Sequence, residues 1–465
     1  MRVILAGYNV ESDMIKKAGD TLGLEMTPEV ISAAYARISR DPRNVDTLRK
    51  EARTRVEKAR RSNETIIFGL GHSSVAEHAV FNFDIMGVSR LAVEYIEHFR
   101  LASYTEKSQR YIKLGRDFVI PKEISESEYR DVFLNLIDYL SEAYEEVYRR
   151  IEASGEDKYV AREDARYLMP LATSAQLGMT LNGREAEYMI SRLASHPLQE
   201  LREFAGKLSS IAGNVAPSLV KYPEPTEYFK SIPRIRKRLA RDGKRIGDDG
   251  KMANLVTCTA SGDEKLAAGL VFSSSSISYS AALEIARSMS KSEISDMICE
   301  TLKLIKPHDS VWREFENIQL LFEVKVSASC YAQLKRHRMT TQIVQPYDTG
   351  LGCVVPSTVK KGRAVSVFRK AVQRAERLYR KIASTDRILA EYVLTNAHRR
   401  RVLINMNLRE LYHFSRLRSD THAQWEIRDL SGELCSIASS RYPAGTVMLS
   451  GKDGFDEAME RLANK

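Results

Sequence analysis

The stretch "HFRLASYTEKSQRY", from His98 to Tyr111, concentrates side chains that can bind phosphate. It contains Arg and Lys cations, several hydroxyls and little that belongs in an apolar core. A phosphate oxygen accepts hydrogen bonds from hydroxyl and backbone N–H donors and pairs with the fork of an Arg side chain. The sequence therefore predicts a phosphate-binding loop at "EKSQR", which comprises Glu106, Lys107, Ser108, Gln109 and Arg110.

A second stretch, "LKRHRMTTQIVQPY" from Leu334 to Tyr347, begins with a similar basic cluster and then lacks the hydroxyl-rich part. Its three basic side chains are Arg336, His337 and Arg338. Such side chains can hold the pyrophosphate of a dinucleotide, or they can form a solvated surface. No Gly-x-Gly-x-x-Gly motif follows a predicted strand, which argues against a Rossmann-type dinucleotide site.

The elements that must position these two stretches occur twice along the chain. "MRVILAGYN" followed by "TPEVISAAYARISR" predicts a strand, a loop and a helix, and "KMANLVTCTA" followed by "GDEKLAAGLVFSSSS" predicts the same order. Each half then has a His-x-Ser-Val sequence, at His72 and His308, followed by an alternating apolar strand. Long helical patterns follow in both halves. We therefore predict an α+β fold, with helices packed on an antiparallel sheet, in two tandem copies.

The join between the copies is rich in Pro, Gly and charge, as linkers are. We expect a first repeat at residues 1–220, a basic linker at 221–250 and a second repeat at 251–465. The linker sequence "RIRKRLARDGKR" could bind RNA. A solvated basic connector is the favoured interpretation, because no aromatic stacking partners are interleaved with these cations.

Composition and charge limit the class of protein further. The 465 residues carry a formal net charge of +10, which favours an anionic partner such as a nucleotide, a phosphorylated cofactor or RNA. The N-terminal run lacks a basic leader and a cleavage site, and no stretch reaches the length of a membrane span. We expect a cytoplasmic protein without a disulfide framework or a Cys/His metal site, with five reduced cysteines: Cys258, Cys299, Cys330, Cys353 and Cys435.

The motifs resemble those of the flavin-dependent thymidylate synthase family, often called ThyX. Its signature reads Arg-His-Arg, two residues, Ser, one residue, Asn-Glu, one residue, Ser, one residue, Arg-Tyr. The second half has the head of this signature at residues 336–338 and lacks the tail. The first half departs from the head and from the Asn at His98, Phe99 and Thr105. The first half retains the tail, at Arg100, Ser103, Glu106, Ser108, Arg110 and Tyr111.

Three further segments extend the resemblance over most of both halves. "GHSSVAEH" is similar to the family's His-x-Ser-x-x-Glu-His element, whereas the second half has Arg313 and Glu314 in place of its Glu and His. "MNLRELYHFSRLRSDTHAQWEIRDL" is similar to the family's C-terminal segment, and Leu193 stands in the first half where the second half has Arg418. Arg166 of "ARYLMP" matches a family arginine that contacts the nucleotide.

The resemblance implies ligand roles for residues of both halves. Those that match FAD contacts of the family are Ser74, Ser310, Arg336, His337, Arg338, Asn407, Arg409 and His413. Those that match dUMP contacts are Glu106, Lys107, Ser108, Gln109, Arg110, Arg166, Gln333 and Arg336. Arg418 matches an arginine that would hydrogen-bond the uracil ring and stabilise negative charge as the pyrimidine is activated. A helix-surface ion pair with Asp420 or Glu426 is the alternative for Arg418.

Members of the family are homotetramers whose active sites are assembled from several subunits. Because the two halves retain complementary residues, we expect composite sites with one part from each half, in a homodimer that mimics the tetramer. The implied reaction uses FAD, reduced by NADPH, to transfer the methylene of methylenetetrahydrofolate to C5 of dUMP, which gives dTMP without an enzyme nucleophile.

Two alternatives remain open. One is a flavoenzyme of the same fold that acts on a different pyrimidine nucleotide, which the departures at His98, Phe99 and Thr105 favour. The other is a catalytically silent protein that binds FAD or RNA, which the shortened tail of the second half and the basic linker favour.

Overall fold

A computed structural model describes residues 1–10, 27–38, 43–69, 72–110, 115–220, 224–240 and 250–463. Tyr111 of the predicted signature, and residues 221–223 and 241–249 of the predicted linker, lie outside this set. The chain divides into two compact units. The first comprises residues 1–244 and 357–395, and the second comprises residues 245–356 and 396–465.

The secondary structure of the N-terminal part alternates short strands with helices. Its elements are β1 (Arg2–Tyr8), α1 (Glu29–Ile38), α2 (Val45–Thr54), α3 (Val56–Glu64), β2 (Val80–Ser89), α4 (Arg90–Ile96), β3 (Ala102–Glu106), α5 (Lys122–Ser125), α6 (Arg130–Ala153), α7 (Lys158–Ala165), β4 (Ser174–Asn182), α8 (Gly183–Ala194), α9 (Gln199–Val215) and α10 (Glu227–Leu239).

The same order returns in the C-terminal part. Its elements are β5 (Ala253–Cys258), α11 (Gly262–Ser273), α12 (Tyr279–Ser288), α13 (Lys291–Glu300), β6 (Gln319–Ser327), α14 (Ala328–Leu334), β7 (Thr341–Val344), α15 (Ser357–Lys361), α16 (Val365–Ala383), α17 (Arg387–Ala390), β8 (Arg399–Asn407), α18 (Leu408–Arg418), α19 (Trp425–Arg441) and α20 (Phe455–Ala463).

Each unit is built on a four-stranded antiparallel sheet, and the two sheets have the same topology. The strand order is β1-β2-β4-β3 in the first unit and β5-β6-β8-β7 in the second. The alternating apolar residues of the long second strands face the cores: Phe81, Phe83 and Ile85 in β2 and Leu320, Phe322 and Val324 in β6 are buried. The predicted α+β fold and its tandem duplication are confirmed.

Residues 357–395 of the second repeat belong to the first unit. Helix α16 packs against α6, and Arg374 lies over the ring of Tyr139 at 4.3 Å from its centroid. At the end of this segment, Leu171 and Ala172 donate backbone hydrogen bonds to the carbonyls of Leu394 and Tyr392. The amphipathic pattern of α16 thus indicates its buried face but not which sheet it packs beside.

Helix α10 occupies part of the region predicted to be a linker. It begins at the cap residue Thr226 and contains Pro233, and none of its residues is buried. Phe229 nevertheless packs against the ring of Tyr188, with centroids 6.1 Å apart. The basic end of the helix, Arg236 to Arg238, is exposed.

No helix within the described residues is both long enough and apolar enough to span a membrane.

Candidate active site

A buried corner fixes the point at which the Arg336–Arg338 segment leaves the core. Strand β6 ends at Ser327, whose N–H donates to the Glu426 carboxylate of α19 at 2.9 Å. The hydroxyl of Ser327 donates to the same carboxylate, and its oxygen accepts the Cys330 N–H at 3.0 Å. This cap fixes the start of α14 at the end of strand β6. Because the basic segment follows directly after this short helix, the end of the strand also fixes where that segment begins.

A second element brings the C-terminal segment to the same place. Asn407 caps α18, because its Oδ1 accepts the backbone N–H of Glu410 at 2.8 Å. The helix then presents Glu410, His413 and Arg418 at spacings of three and five residues. The cap explains why an Asn stands at this position, independently of any contact with a ligand.

The two elements meet at His337. We call the four residues that come together here, His337, Glu410, His413 and Arg418, the His337 cluster. The Nδ1 of His337 lies 3.2 Å from Oε1 of Glu410, and its Nε2 accepts the Nε–H of Arg418 at 2.9 Å. The ring of His413 lies 5.8 Å from the ring of His337. Three predicted site residues are therefore brought together, and Glu410 joins them.

Electrostatics in the His337 cluster follow from its burial. Burial, followed by the positive charges of Arg418 and His413, lowers the pKa of His337 well below its usual value, so this imidazole is neutral. Burial raises the pKa of Glu410 to about 7, and His413 acts in the opposite direction. A neutral imidazole beside a guanidinium avoids the repulsion that an imidazolium would cause.

Gln333 lies one turn before the basic segment and also contacts the cluster. Its carbonyl oxygen accepts an N–H of Arg418 at 3.3 Å. Its side-chain amide nitrogen is buried and has no hydrogen-bond partner among the described residues. A buried amide donor without a partner is costly unless something accepts from it, which suits a ligand carbonyl.

The remaining residues predicted to hold FAD differ in their surroundings. Arg336 and Arg338, which flank His337 in the sequence, are exposed, and so is His413 of the cluster. Arg409 donates to the Val311 carbonyl at 2.9 Å and pairs with Glu316 at 2.7 Å. The two predicted serine contacts are both exposed: Ser310 lies in the loop before residues 313–317, and Ser74 lies in a short 3₁₀ helix of the first unit.

The predicted nucleotide loop, residues 106–110, is anchored by a buried ion pair. Both carboxylate oxygens of Glu106 accept hydrogen bonds from the same Arg90 nitrogen, at 2.6 and 2.8 Å. Both side chains are only 4% exposed. Burial works to lower the pKa of Arg90, but the carboxylates of Glu106, Glu94 and Glu97 outweigh it and raise that pKa above its usual value. The Glu106 carboxylate therefore holds the loop in place.

The other loop residues lie at the surface, close to Arg166. Arg110 pairs with Glu163, whose backbone carbonyl accepts the Nε–H of Arg166 at 3.1 Å. The Ser108 hydroxyl oxygen accepts the Arg110 N–H at 3.1 Å, which leaves the hydroxyl hydrogen to donate elsewhere. Lys107 is exposed and Gln109 half-buried. Burial lowers the pKa of Arg166, because it disfavours the charged guanidinium. A bound anion would stabilise that charge.

The first repeat has apolar residues where the second has the His337 cluster. Asn182 caps α8 through the Glu185 N–H at 2.8 Å, as Asn407 caps α18. Phe99 packs edge-on against Tyr188 at 5.5 Å, in the place of the His337–His413 contact. Leu193 is buried at the position of Arg418. The polar centre is thus retained in the second repeat and replaced by packing in the first.

Cysteine thiols and possible metal ligands are the other side chains that could take part in chemistry. Cys299 and Cys330 are buried, and burial raises the pKa of Cys435 to about 11. Over the part of the chain that the structure describes, no group of three His, Cys, Asp or Glu side chains is placed to hold a metal ion.

Two functional features were missed by sequence reasoning. The Arg90–Glu106 pair joins a helix to a strand, and neither residue type nor spacing indicates such a contact. The second feature is the pair of carboxylates Glu200 and Glu426. The sequence did contain a signal for them, because "LQELREF" and "QWEIRDL" place a glutamate at matching positions of the two halves. Glu200 accepts the N–H and hydroxyl of Ser89, at 2.7 and 2.6 Å, as Glu426 does for Ser327.

Comparison with known proteins places this architecture in a family. A family model described as "thymidylate synthase complementing protein" matches residues 22–218 and again residues 255–444. The chain belongs to this family. Two matches in sequence order, on two sheets of identical topology, confirm both the resemblance to flavin-dependent thymidylate synthases and the duplication.

Relatives of two lengths match the chain. A flavin-dependent thymidylate synthase of Clostridium tetani is 29% identical and covers 45% of this chain with 90% of its own length. A UPF0159 protein of Chlamydia muridarum is 26% identical, over 88% of this chain and 84% of its own length. A UPF0159 protein of Thermoplasma acidophilum is 24% identical, over 93% and 96%. The family thus includes both single-copy and double-length chains.

The Arg90–Glu106 pair should contribute more to stability than an exposed pair of the same unit. We expect Glu106→Gln to lower the free energy of unfolding by roughly 3 kcal/mol, because it leaves a buried guanidinium without its carboxylate. Glu77→Gln breaks the Arg184 pair, whose side chains are 51% and 38% exposed, and should cost about 1 kcal/mol or less. Chemical denaturation of both variants measures the difference, and equal losses would contradict it.

Titration of Glu410 should make stability fall with rising pH. Its pKa rises from 4.5 to about 7 on folding, so between these values the folded protein holds a proton that the unfolded chain releases. Glu410→Gln removes this titration. As the pH is raised from 5 to 8, the unfolding midpoint of the variant should therefore increase relative to that of the natural protein. Glu293→Gln is the control, because hydrogen bonds lower the pKa of the exposed Glu293 and its titration lies below this range. A difference for Glu410→Gln that stays constant with pH would contradict the assignment.

Proposed function

We propose that the chain is a flavin-dependent thymidylate synthase that converts dUMP to dTMP, with methylenetetrahydrofolate as the carbon donor and NADPH as the reductant of FAD. The observation that carries the proposal is the His337 cluster, in which a buried neutral imidazole holds the Arg418 guanidinium. The relatives named flavin-dependent thymidylate synthase support the chemistry, and the family match covers both repeats.

The residues present fit an anionic flavin dinucleotide. Arg336 and Arg338 are exposed cations on either side of His337 in the sequence, and the amide of Gln333 offers a buried donor. Arg336, His337, Arg338, Asn407, Arg409 and His413, with Ser74 and Ser310, would hold FAD. When bound, FAD supplies redox chemistry that no side chain of the chain provides.

The nucleotide would be held by side chains of both repeats. Ser108 and Arg110 offer a hydroxyl and a guanidinium to a phosphate, with Lys107, Gln109 and Arg166 beside them. Glu106 would act by anchoring this loop through Arg90. Gln333 and Arg336 would contact the nucleotide from the second repeat. Arg418 would donate hydrogen bonds to a uracil oxygen and stabilise the negative charge that develops on the activated ring.

Complementary losses in the two repeats support composite sites. The first repeat retains the phosphate-binding loop and Arg166 but has Phe99 and Leu193 at the polar centre. The second repeat retains that centre but lacks the loop. A homodimer would then provide two complete sites, each with one part from a first repeat and one from a second.

The decisive experiment is the detection of dTMP by mass spectrometry. The purified protein is incubated anaerobically with FAD, NADPH, methylenetetrahydrofolate and dUMP. We expect catalytic amounts of dTMP from the natural chain and a loss of at least about a hundredfold in Arg418→Ala, which removes a donor to developing charge. Product from other pyrimidine nucleotides but not dUMP would favour the alternative substrate. Absence of any product, with RNA binding that weakens with salt, would favour the silent protein.

Mixing two inactive variants tests the composite site. Arg110→Ala removes the nucleotide loop cation and Arg338→Ala removes a flavin-side cation, so each chain alone should be nearly inactive. If a site takes its parts from two chains, co-refolded or co-expressed variants regain activity, because one site of each mixed dimer is intact. Random pairing gives about a quarter of the natural number of sites in a twofold dimer. The control is a chain that carries both substitutions. Dimers of this chain should show no recovered activity.

Lack of rescue on mixing, with each single variant inactive, would mean that each site takes both parts from one chain. Appreciable activity in either single variant would contradict a site shared by the two repeats.

A further inference from the structure

His337 lies between two ionisable side chains, which contact opposite nitrogens of its ring. Its side chain is almost completely buried, with Glu410 3.2 Å from Nδ1 and the Nε–H of Arg418 2.9 Å from Nε2. Glu410 is itself buried on α18, one turn after the cap at Asn407. Nothing in the predicted FAD or dUMP contacts gives Glu410 a role.

The identity of these neighbours determines the tautomer of His337. A guanidinium has N–H donors and no acceptor, so the Nε2 that faces Arg418 must offer its lone pair. Since the imidazole is neutral, its single N–H is then on Nδ1, where it donates to the Glu410 carboxylate. The opposite tautomer would place two N–H donors against each other at Nε2 and, when Glu410 is ionised, would leave a carboxylate facing a lone pair at Nδ1.

We infer that Glu410 is a positioning residue, which together with Arg418 selects the Nδ1–H tautomer of His337 and thereby helps to orient the guanidinium of Arg418 toward the nucleotide. This inference rests on the proposed function only for the role of Arg418. With His337 accepting from Nε and the Gln333 carbonyl accepting from Nη2, at least two of the five Arg418 donors are fixed by the protein. The plane of the guanidinium is therefore set before any substrate binds.

The first repeat supplies an internal comparison. Glu185 occupies the position of Glu410, three residues after the cap Asn182, and is buried to a similar extent. It accepts the backbone N–H of Leu101 at 3.4 Å, and Phe99 stands where the second repeat has His337. A glutamate at this position can thus serve the local fold alone. The histidine and the arginine are what give Glu410 its additional role.

Nitrogen NMR of the histidine rings tests the inference without any assay of activity. The full-length chain is labelled with ¹⁵N-histidine, and the signal of His337 is assigned by its loss in His337→Phe, which copies Phe99 of the first repeat. We expect a neutral ring with the proton on Nδ1 in the natural chain. In Glu410→Gln we expect the Nε2–H tautomer to gain population, because an amide can donate to Nδ1 as well as accept from it, so that only the Arg418 contact then favours the Nδ1–H tautomer.

Glu185→Gln is the matched control, since it makes the same change at the equivalent position of the first repeat. It should leave the His337 spectrum unchanged. A natural chain with the proton on Nε2, or with a charged imidazolium, would overturn the inference. So would a Glu410→Gln spectrum identical to that of the natural chain.

Kinetics then separate a positioning role from a merely structural one. We expect Glu410→Gln to reduce kcat about 10- to 100-fold, the range typical of groups that orient a functional side chain, with a smaller change in the KM for dUMP. Glu185→Gln should keep the natural kcat. An altered tautomer with unchanged kcat would overturn the link to Arg418. If the natural chain makes no dTMP while the tautomer responds as expected, the proposed reaction fails but the assignment of Glu410 to His337 stands.

Discussion

A buried carboxylate at the end of each long strand is the constraint on which both repeats depend. Glu200 and Glu426 each accept the N–H and the hydroxyl of one serine, at the point where the strand turns into a helix. Burial raises the pKa of Glu200, and the hydrogen bonds that it accepts act in the opposite direction. Tyr392 supplies a third donor to Glu200 at 2.6 Å. Because the corner is held by buried hydrogen bonds to the backbone, the basic segment after the helix leaves the core at a fixed place, whatever side chains it carries.

Much of the fold could be predicted from the sequence because periodicity reports which residues are buried. The alternation in β2 and β6 and the amphipathic pattern of α6 and α16 are local signals, and their repetition along the chain predicted the duplication. The predicted strand "MRVILAGYN" and the predicted helix "GDEKLAAGLVFSSSS" correspond to β1 and α11. His337 and Arg418 could be assigned to one site only through the resemblance, since 81 residues separate them.

The contacts that could not be predicted are those between distant polar residues. Nothing in the sequence near Arg90 indicates Glu106 as its buried partner, because a charge pair depends on how a helix and a strand are placed relative to each other. Glu410 is an acidic residue in the first turn of a helix, which the sequence alone gives no reason to single out, and only its contact with the buried His337 gives it significance. The packing of α16 on α6 was equally unpredictable, since an apolar helix face can be covered by either neighbour.

The contact of Phe99 with Tyr188 has a consequence for how such a chain can evolve. In an oligomer of identical subunits, one codon specifies the same residue in every site, so a substitution that favours packing in one place removes a ligand contact everywhere. Fusion of two copies breaks that symmetry, because positions 99 and 337 are encoded separately. One copy can then exchange a histidine for an aromatic ring while the other keeps it. The covalent link thus relaxes selection on half of the equivalent positions and lets each copy diverge toward a separate task.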